Sequence, residues 1–162
     1  MNRLLIGTFF ILFQLCVFSQ NSPVTKKQLF KAFKQSIEQK DSKSIYTDSN
    51  PWLANNIDSL YYKADTIVFI NAKSFKRDYC RVINWSFYKK DRFILSDANS
   101  CKEPPTARVN QPTDWFSIKI IESDTGLFFD IYNFNAFIDR FQVISLLVSD
   151  QESVLKIKRI KS

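Results

Sequence analysis

Histidine is absent from this chain of 162 residues, and glycine occurs twice, at Gly7 and Gly126. Without histidine there is no Ser-His-Asp or Cys-His catalytic set and almost no route to a catalytic zinc site. Two isolated glycines cannot build a Gly-rich phosphate loop. Cysteine is scarce too: Cys16, Cys80 and Cys101 occur with no C-x-x-C spacing, which gives a redox motif nothing to rest on. Carboxylates are plentiful, sixteen in all, but none stands out as one of an acid-base pair. Asp97, Glu103 and Asp114 fall in expected loops, and Asp130 and Asp139 on the expected outward face of strands. The residues present therefore point away from an enzyme and call for no metal or cofactor.

The first segment that is rich in anything is the N-terminus. Met1-Asn2-Arg3 is short and positive, and an apolar run extends from Leu4 to Phe18, broken only by Gly7, Thr8 and Gln14. Val17 and Ser19 suit the −3 and −1 positions of a cleavage site, so residues 1–19 read as a secretory signal peptide cut between Ser19 and Gln20. The run is shorter than the roughly 20 residues that a bilayer-spanning helix needs. Acylation at Cys16 is the alternative, and bulky Leu15 just before it argues against that. The expected mature chain is thus exported, to the periplasm or the medium, with no stable membrane span.

Residues 20–162 amount to one domain, long enough for a real core. The formal charge of the whole chain is +7, and the signal segment carries one arginine and no acid, which leaves +6. That bias favours acidic partners without specifying one. Two basic groups stand out, Lys73, Lys76, Arg77 and Arg81 in a loop and Lys156, Lys158, Arg159 and Lys161 at the end of the chain. The second group is the kind of lysine pattern that protects an edge strand. No RNA-binding signature accompanies the aromatic residues nearby, and export makes nucleic acid an unsuitable partner. In an oxidising compartment the two remaining cysteines, Cys80 and Cys101, are expected to form one disulfide.

Along the mature chain the hydrophobic period changes once. Thr25 can cap a helix running to about Gln39, in which Leu29, Phe30, Phe33 and Ile37 recur at helical spacing and lysines occupy the other faces. Residues 41–58 read as a loop pinned by Trp52 and Leu53. From Thr66 onward the period is two. Strands are expected at Thr66–Asn71, Cys80–Lys89, Arg92–Ser96, Trp115–Ile121, Leu127–Tyr132, Ala136–Val148 and Val154–Ile160, with a turn at Glu122–Gly126. In the sixth of these the apolar parity changes between Val143 and Ile144, which predicts a bulge. Closely spaced short strands with tight turns argue for an antiparallel meander.

The register of the first hairpin can be read from its large side chains. Pairing Phe87 with Phe93 and Trp85 with Leu95 puts them on one face and implies a three-residue loop, Lys89 to Asp91. Cys80 then opposes Ser100, one residue short of Cys101, so a bulge within Asp97–Ser100 is expected to bring the cysteines together. Asn84-Trp85-Ser86 matches a glycosylation sequon, which inside an expected strand reads as chance.

From residue 83 the chain reads I-x-W-x-F-x-K-K-D-R-F-x-L, then W-F-x-I-x-I, L-x-F-x-I-Y-N, F-x-V-I-x-L and finally L-x-I-x-R. Over residues 83–159 this resembles the small lipocalin-like proteins that Gram-negative bacteria export to the envelope. The turn Lys89-Lys90-Asp91-Arg92 stands where those proteins carry glycine, and Cys101–Pro105 has no counterpart in the pattern. The resemblance implies a barrel or half-barrel, brings no catalytic residue with it, and suggests a small apolar ligand. Trp85, Phe87, Phe93, Phe116, Ile118, Phe129 and Phe141 would then line a pocket or fill a core. The expectation from sequence is a lipocalin-like antiparallel barrel with one N-terminal amphipathic helix packed on it. It would be non-enzymatic and bind a small apolar ligand inside. The alternative is an interaction module that meets an acidic protein or polysaccharide with its basic exterior, notably the loop Lys73–Arg81.

Overall fold

In the computed structural model the described residues are 23–38, 49–72, 79–109 and 113–161. The expected signal segment, with Cys16, and most of the basic loop Lys73–Arg81 lie outside them. Helix α1 spans Lys26–Glu38. The strands are β1 Trp52–Asn55, β2 Thr66–Ala72, β3 Arg81–Lys89, β4 Arg92–Asn99, β5 Thr106–Arg108, β6 Trp115–Ser123, β7 Gly126–Asn133, β8 Ala136–Val148 and β9 Glu152–Arg159. Between β1 and β2 lie a 3-10 turn, Ile57–Ser59, and a short helix α2, Leu60–Lys63.

The sheet runs β3-β1-β2-β9-β8-β7-β6-β4, and β3 pairs with β4, so eight antiparallel strands close into a barrel, with β5 an extra strand on the outside edge of β4. The expected meander holds from β6 to β9 and in the β3–β4 hairpin. It fails at β1, which the sequence reading took for loop. Trp52, Leu53 and Ala54 are all buried, so this strand shows no alternation to read. It enters between β2 and β3 and pairs Trp52 with Trp85 and Asn55 with Val82. β5, paired with Asp97–Asn99, lies in a stretch whose Pro104, Pro105 and Pro112 and many turn residues give no strand period to read.

The expected β3–β4 register is present from Arg81 to Phe87. Phe87 faces Phe93, Trp85 faces Leu95, and the same offset continues to Arg81 opposite Asn99. The irregularity sits at the turn instead, between Phe87 and Lys89, and Lys89 pairs with Arg92. The connecting turn is therefore Lys90-Asp91, not three residues. No bulge is needed at the other end. The Ser100 N–H donates to the Cys80 carbonyl, continuing the register, and Cys101 reaches Cys80 from the bend just past the strand. The Cys80–Cys101 disulfide, with Cα atoms 4.9 Å apart, closes the open end of this hairpin.

The predicted bulge in β8 is present between Val143 and Ser145. It lets Val143 and Leu146 both face partners on the interior, Ile157 and Leu155, while Ile144 is left at the surface. A second irregularity, at Ile131/Tyr132 against β8, leaves Ile138 unpaired and exposed.

Thr25 caps α1 as expected. Its Oγ1 accepts from the Gln28 N–H, while Gln28 Oε1 accepts from the Thr25 N–H, a reciprocal pair that satisfies two otherwise orphaned donors. Leu29, Ala32 and Phe33 are buried, and Phe33 stacks on Phe87 with centroids 4.2 Å apart. The Lys26 N–H donates to Glu122, beside the β6–β7 turn. These contacts lay α1 across the end of the barrel that carries the β3–β4 and β6–β7 turns. The opposite end is covered by α2, whose Tyr61 is buried and accepts a hydrogen bond from Trp85 Nε1 at 3.2 Å.

On the barrel wall, Asp130 lies outward, as expected, yet is only 3% exposed. Arg140, opposite it on β8, donates to both carboxylate oxygens at 2.6 and 2.8 Å. These bonds hold the Asp130 carboxyl below its ordinary range. Arg140→Ala is expected to destabilise the protein by about 1–2 kcal/mol at neutral pH, since Arg140 is half exposed and the cost of an orphaned Asp130 is partly relieved by water. The wild-type advantage is present above the unfolded carboxylate pKa and disappears as the pH falls through the lower folded value. Paired urea melts at pH 7 and near pH 2.5 check this: an undiminished gap at acid pH would be incompatible with an ionic origin.

Candidate binding surfaces

The seven residues predicted to line or fill the interior come together there. Trp85 is central: its ring lies 4.5 Å from Phe93, 4.4 Å from Phe69, 6.2 Å from Phe129 and 6.3 Å from Phe141. Phe87 packs on Phe93 at 5.3 Å, Phe116 stacks on Phe93 at 5.4 Å, and Phe129 meets Phe141 at 5.5 Å. Ile118 joins the same cluster. Six of the seven are buried and Phe116 is partly so. Centroid separations of 4.5–7 Å are those of aromatic side chains in direct mutual contact. The rings therefore pack against one another inside the barrel.

The end of the barrel beneath α2 holds a polar cluster that sequence reading placed wrongly. Asp139 was expected to point outward. It shares its parity with Phe141 and Val143 and lies opposite Ile131, so it faces in. There it pairs with Arg159 at 2.9 Å. Arg159 also donates to the carbonyls of Tyr61 and Tyr62 and lies over the rings of Tyr61 and Phe141. Burial pushes the Asp139 carboxyl up and the Tyr61 phenol far above its usual value. This cluster fastens α2 over the barrel end.

Of the basic loop, Arg81 is described, and it is not free for a partner. Its Nε and Nη2 donate to the two Asp97 oxygens at 3.1 and 2.6 Å. On the terminal strand, Arg159 is the inward plug just described and Lys161 pairs with Asp65. Lys156 and Lys158 remain on the outer face and enter no ion pair among the described residues. β9 is an interior strand of the closed sheet, between β2 and β8, so these lysines do not guard an edge.

A feature that sequence reading missed lies beside them. β1 and β2 share a single register pair, Leu53 with Ile70, whereas β2 pairs with β9 along its whole length. Beyond Leu53 the strand stays paired with β3 alone, as far as Asn55, and the chain then leaves the sheet for the 3-10 turn, where Asp58 and Ser59 take left-handed backbone angles, and returns at Thr66. The resulting seam opens as a groove of about 220 Å³, lined by Leu53, Leu60, Tyr61, Ile67, Val68 and Tyr79 among others. None of the seven interior residues lines it. No motif announces it, because its walls come from three elements and its existence depends on where β1 stops.

Among the described residues there is no group of three side chains suited to hold a metal ion, and no helix long and apolar enough to cross a membrane. No known family model, curated protein or solved structure matches the chain.

Proposed function

We propose that this is an exported, non-enzymatic envelope protein of lipocalin-like type that binds an anionic partner from the outside of its barrel. The mutual packing of the interior rings carries this reading. The side chains that would line an internal pocket already contact one another, and α1 and α2 cover the two ends. The disulfide supports an oxidising compartment, in line with the signal-like N-terminus. Closure at eight strands supports the lipocalin-like assignment, and the insertion of β1 between β2 and β3 is where the chain departs from a plain up-and-down barrel. The net positive charge and the unpaired Lys156 and Lys158 support an anionic partner.

The test compares a polyanion with bulky apolar compounds. Binding of dextran sulfate is expected to weaken steeply from low to high salt, because exposed charges are screened over about 10 Å at 0.1 M. Haem and retinol are expected to leave the melting temperature unchanged. An interior ligand at a hundred times its dissociation constant would add about 2.7 kcal/mol regardless of salt. A salt-independent rise with either compound would overturn the exterior reading and restore an apolar ligand inside the barrel.

A further inference from the structure

The seam groove and the outward Lys156 and Lys158 belong to one surface. On β2, Ile67 and Phe69 are buried, so Thr66 and Val68 point outward, and Val68 is 45% exposed. Directly opposite on β9 are Lys158 and Lys156, respectively. Facing residues in an antiparallel pair share a side of the sheet with Cβ atoms about 4.5–5.5 Å apart. Both ammonium groups are therefore within a side chain's reach of the groove's β2 wall. The other walls are mostly apolar: Leu53 and Ala54 from β1, Leu60, Tyr61 and Ala64 from the α2 segment, with Asn55 and Tyr79 adding polar atoms. The site joins a largely apolar slot to two cations that enter no close ion pair, Lys158 feeling only the more distant Asp65 carboxylate.

Building on the exterior reading above, we propose that this groove binds a free, single-chain fatty acid, its alkyl chain along the seam and its carboxylate at Lys156 and Lys158. Charge complementarity selects the head group. Size selects the tail: about 220 Å³ is below the roughly 300–1,000 Å³ of sites for larger molecules, so one unbranched chain fits and a fused-ring compound does not. The seam is also too narrow for a peptide strand, which would need about 4.8 Å of separation from each neighbouring strand, whereas β1 and β2 still pair at Leu53 and Ile70.

Sodium decanoate, below its micelle-forming concentration, is the probe, titrated calorimetrically into the disulfide-bonded protein. One molecule is expected to bind per chain. Val68→Glu, at an exposed position where folding is retained, is expected to abolish binding. The double variant K156E/K158E should weaken it about tenfold or more, the scale of losing a charge-assisted contact. The same double variant should gain affinity for decylammonium. Circular dichroism confirms that each variant is folded. Unaltered decanoate binding by folded Val68→Glu, or indifference to the reversed charges, would overturn the site. Absence of any decanoate binding would overturn it as well, while the salt-dependent dextran sulfate result would still decide the exterior reading on its own.

Discussion

Trp85→Ala is expected to lower stability by about 3–5 kcal/mol, the range for removing a large aromatic side chain from a packed interior. The indole is fully buried and touches four other rings, from β2, β4, β7 and β8. Few of these partners can collapse into the void, since they are anchored in different strands of a closed sheet. For a domain of this size the loss corresponds to a fall in melting temperature on the order of 15 °C. Trp85→Phe separates two contributions. It keeps a ring against Phe93 but removes the N–H that the buried Tyr61 hydroxyl accepts. That variant is expected to lose about 1–3 kcal/mol, mostly from the unsatisfied phenol oxygen. Thermal melts of both variants read the effect directly. A change under 1 kcal/mol for Trp85→Ala would mean that the interior is hollow enough to tolerate the loss, and would return weight to an internal ligand.

Removing the disulfide is expected to cost about 3 kcal/mol, the chain-entropy value for a loop of this length. The cross-link spans 21 positions and encloses the whole β3–β4 hairpin. In the folded protein the hairpin is already held by its ladder and by the Arg81–Asp97 pair near its open end. The bond thus adds little to the native geometry and acts chiefly by restricting the unfolded chain. Urea melts with and without reductant should differ in midpoint, and the Cys80→Ser/Cys101→Ser double variant should match the reduced wild type. Amide protection of Val82–Phe87 should persist in the reduced folded state. An unchanged midpoint on reduction would contradict this account.

Much of the barrel wall is legible in the sequence because its large side chains come in pairs. Phe87 with Phe93 and Trp85 with Leu95 fix one register, and Val143-Ile144 betrays its bulge by two apolar residues in succession. The disulfide follows from cysteine count and compartment. What could not be read has local physical reasons. β1 is four residues long and buried throughout most of it, so no period exists. Asp139 looks like an ordinary surface acid until the phase set by Phe141 is carried one step further, into a barrel end where Arg159 awaits it. The seven interior residues were identifiable as a set, but sequence alone could not distinguish lining from filling. That depends on ring-to-ring distances. The seam groove had no signal, since it is defined by the absence of pairing between two strands.

The pairing of β2 with β9 has a consequence for the order of events in folding. Residues 66–72 find their partners at 152–159, near the far end of the chain. Arg159, the last residue of β9, also fastens the α2 cap. Contacts this distant in sequence must wait for a large loop to close, which slows folding. A chain made from its N-terminus therefore cannot complete its barrel until residues 152–159 are available. Loss of β9 would leave the wall open between β2 and β8.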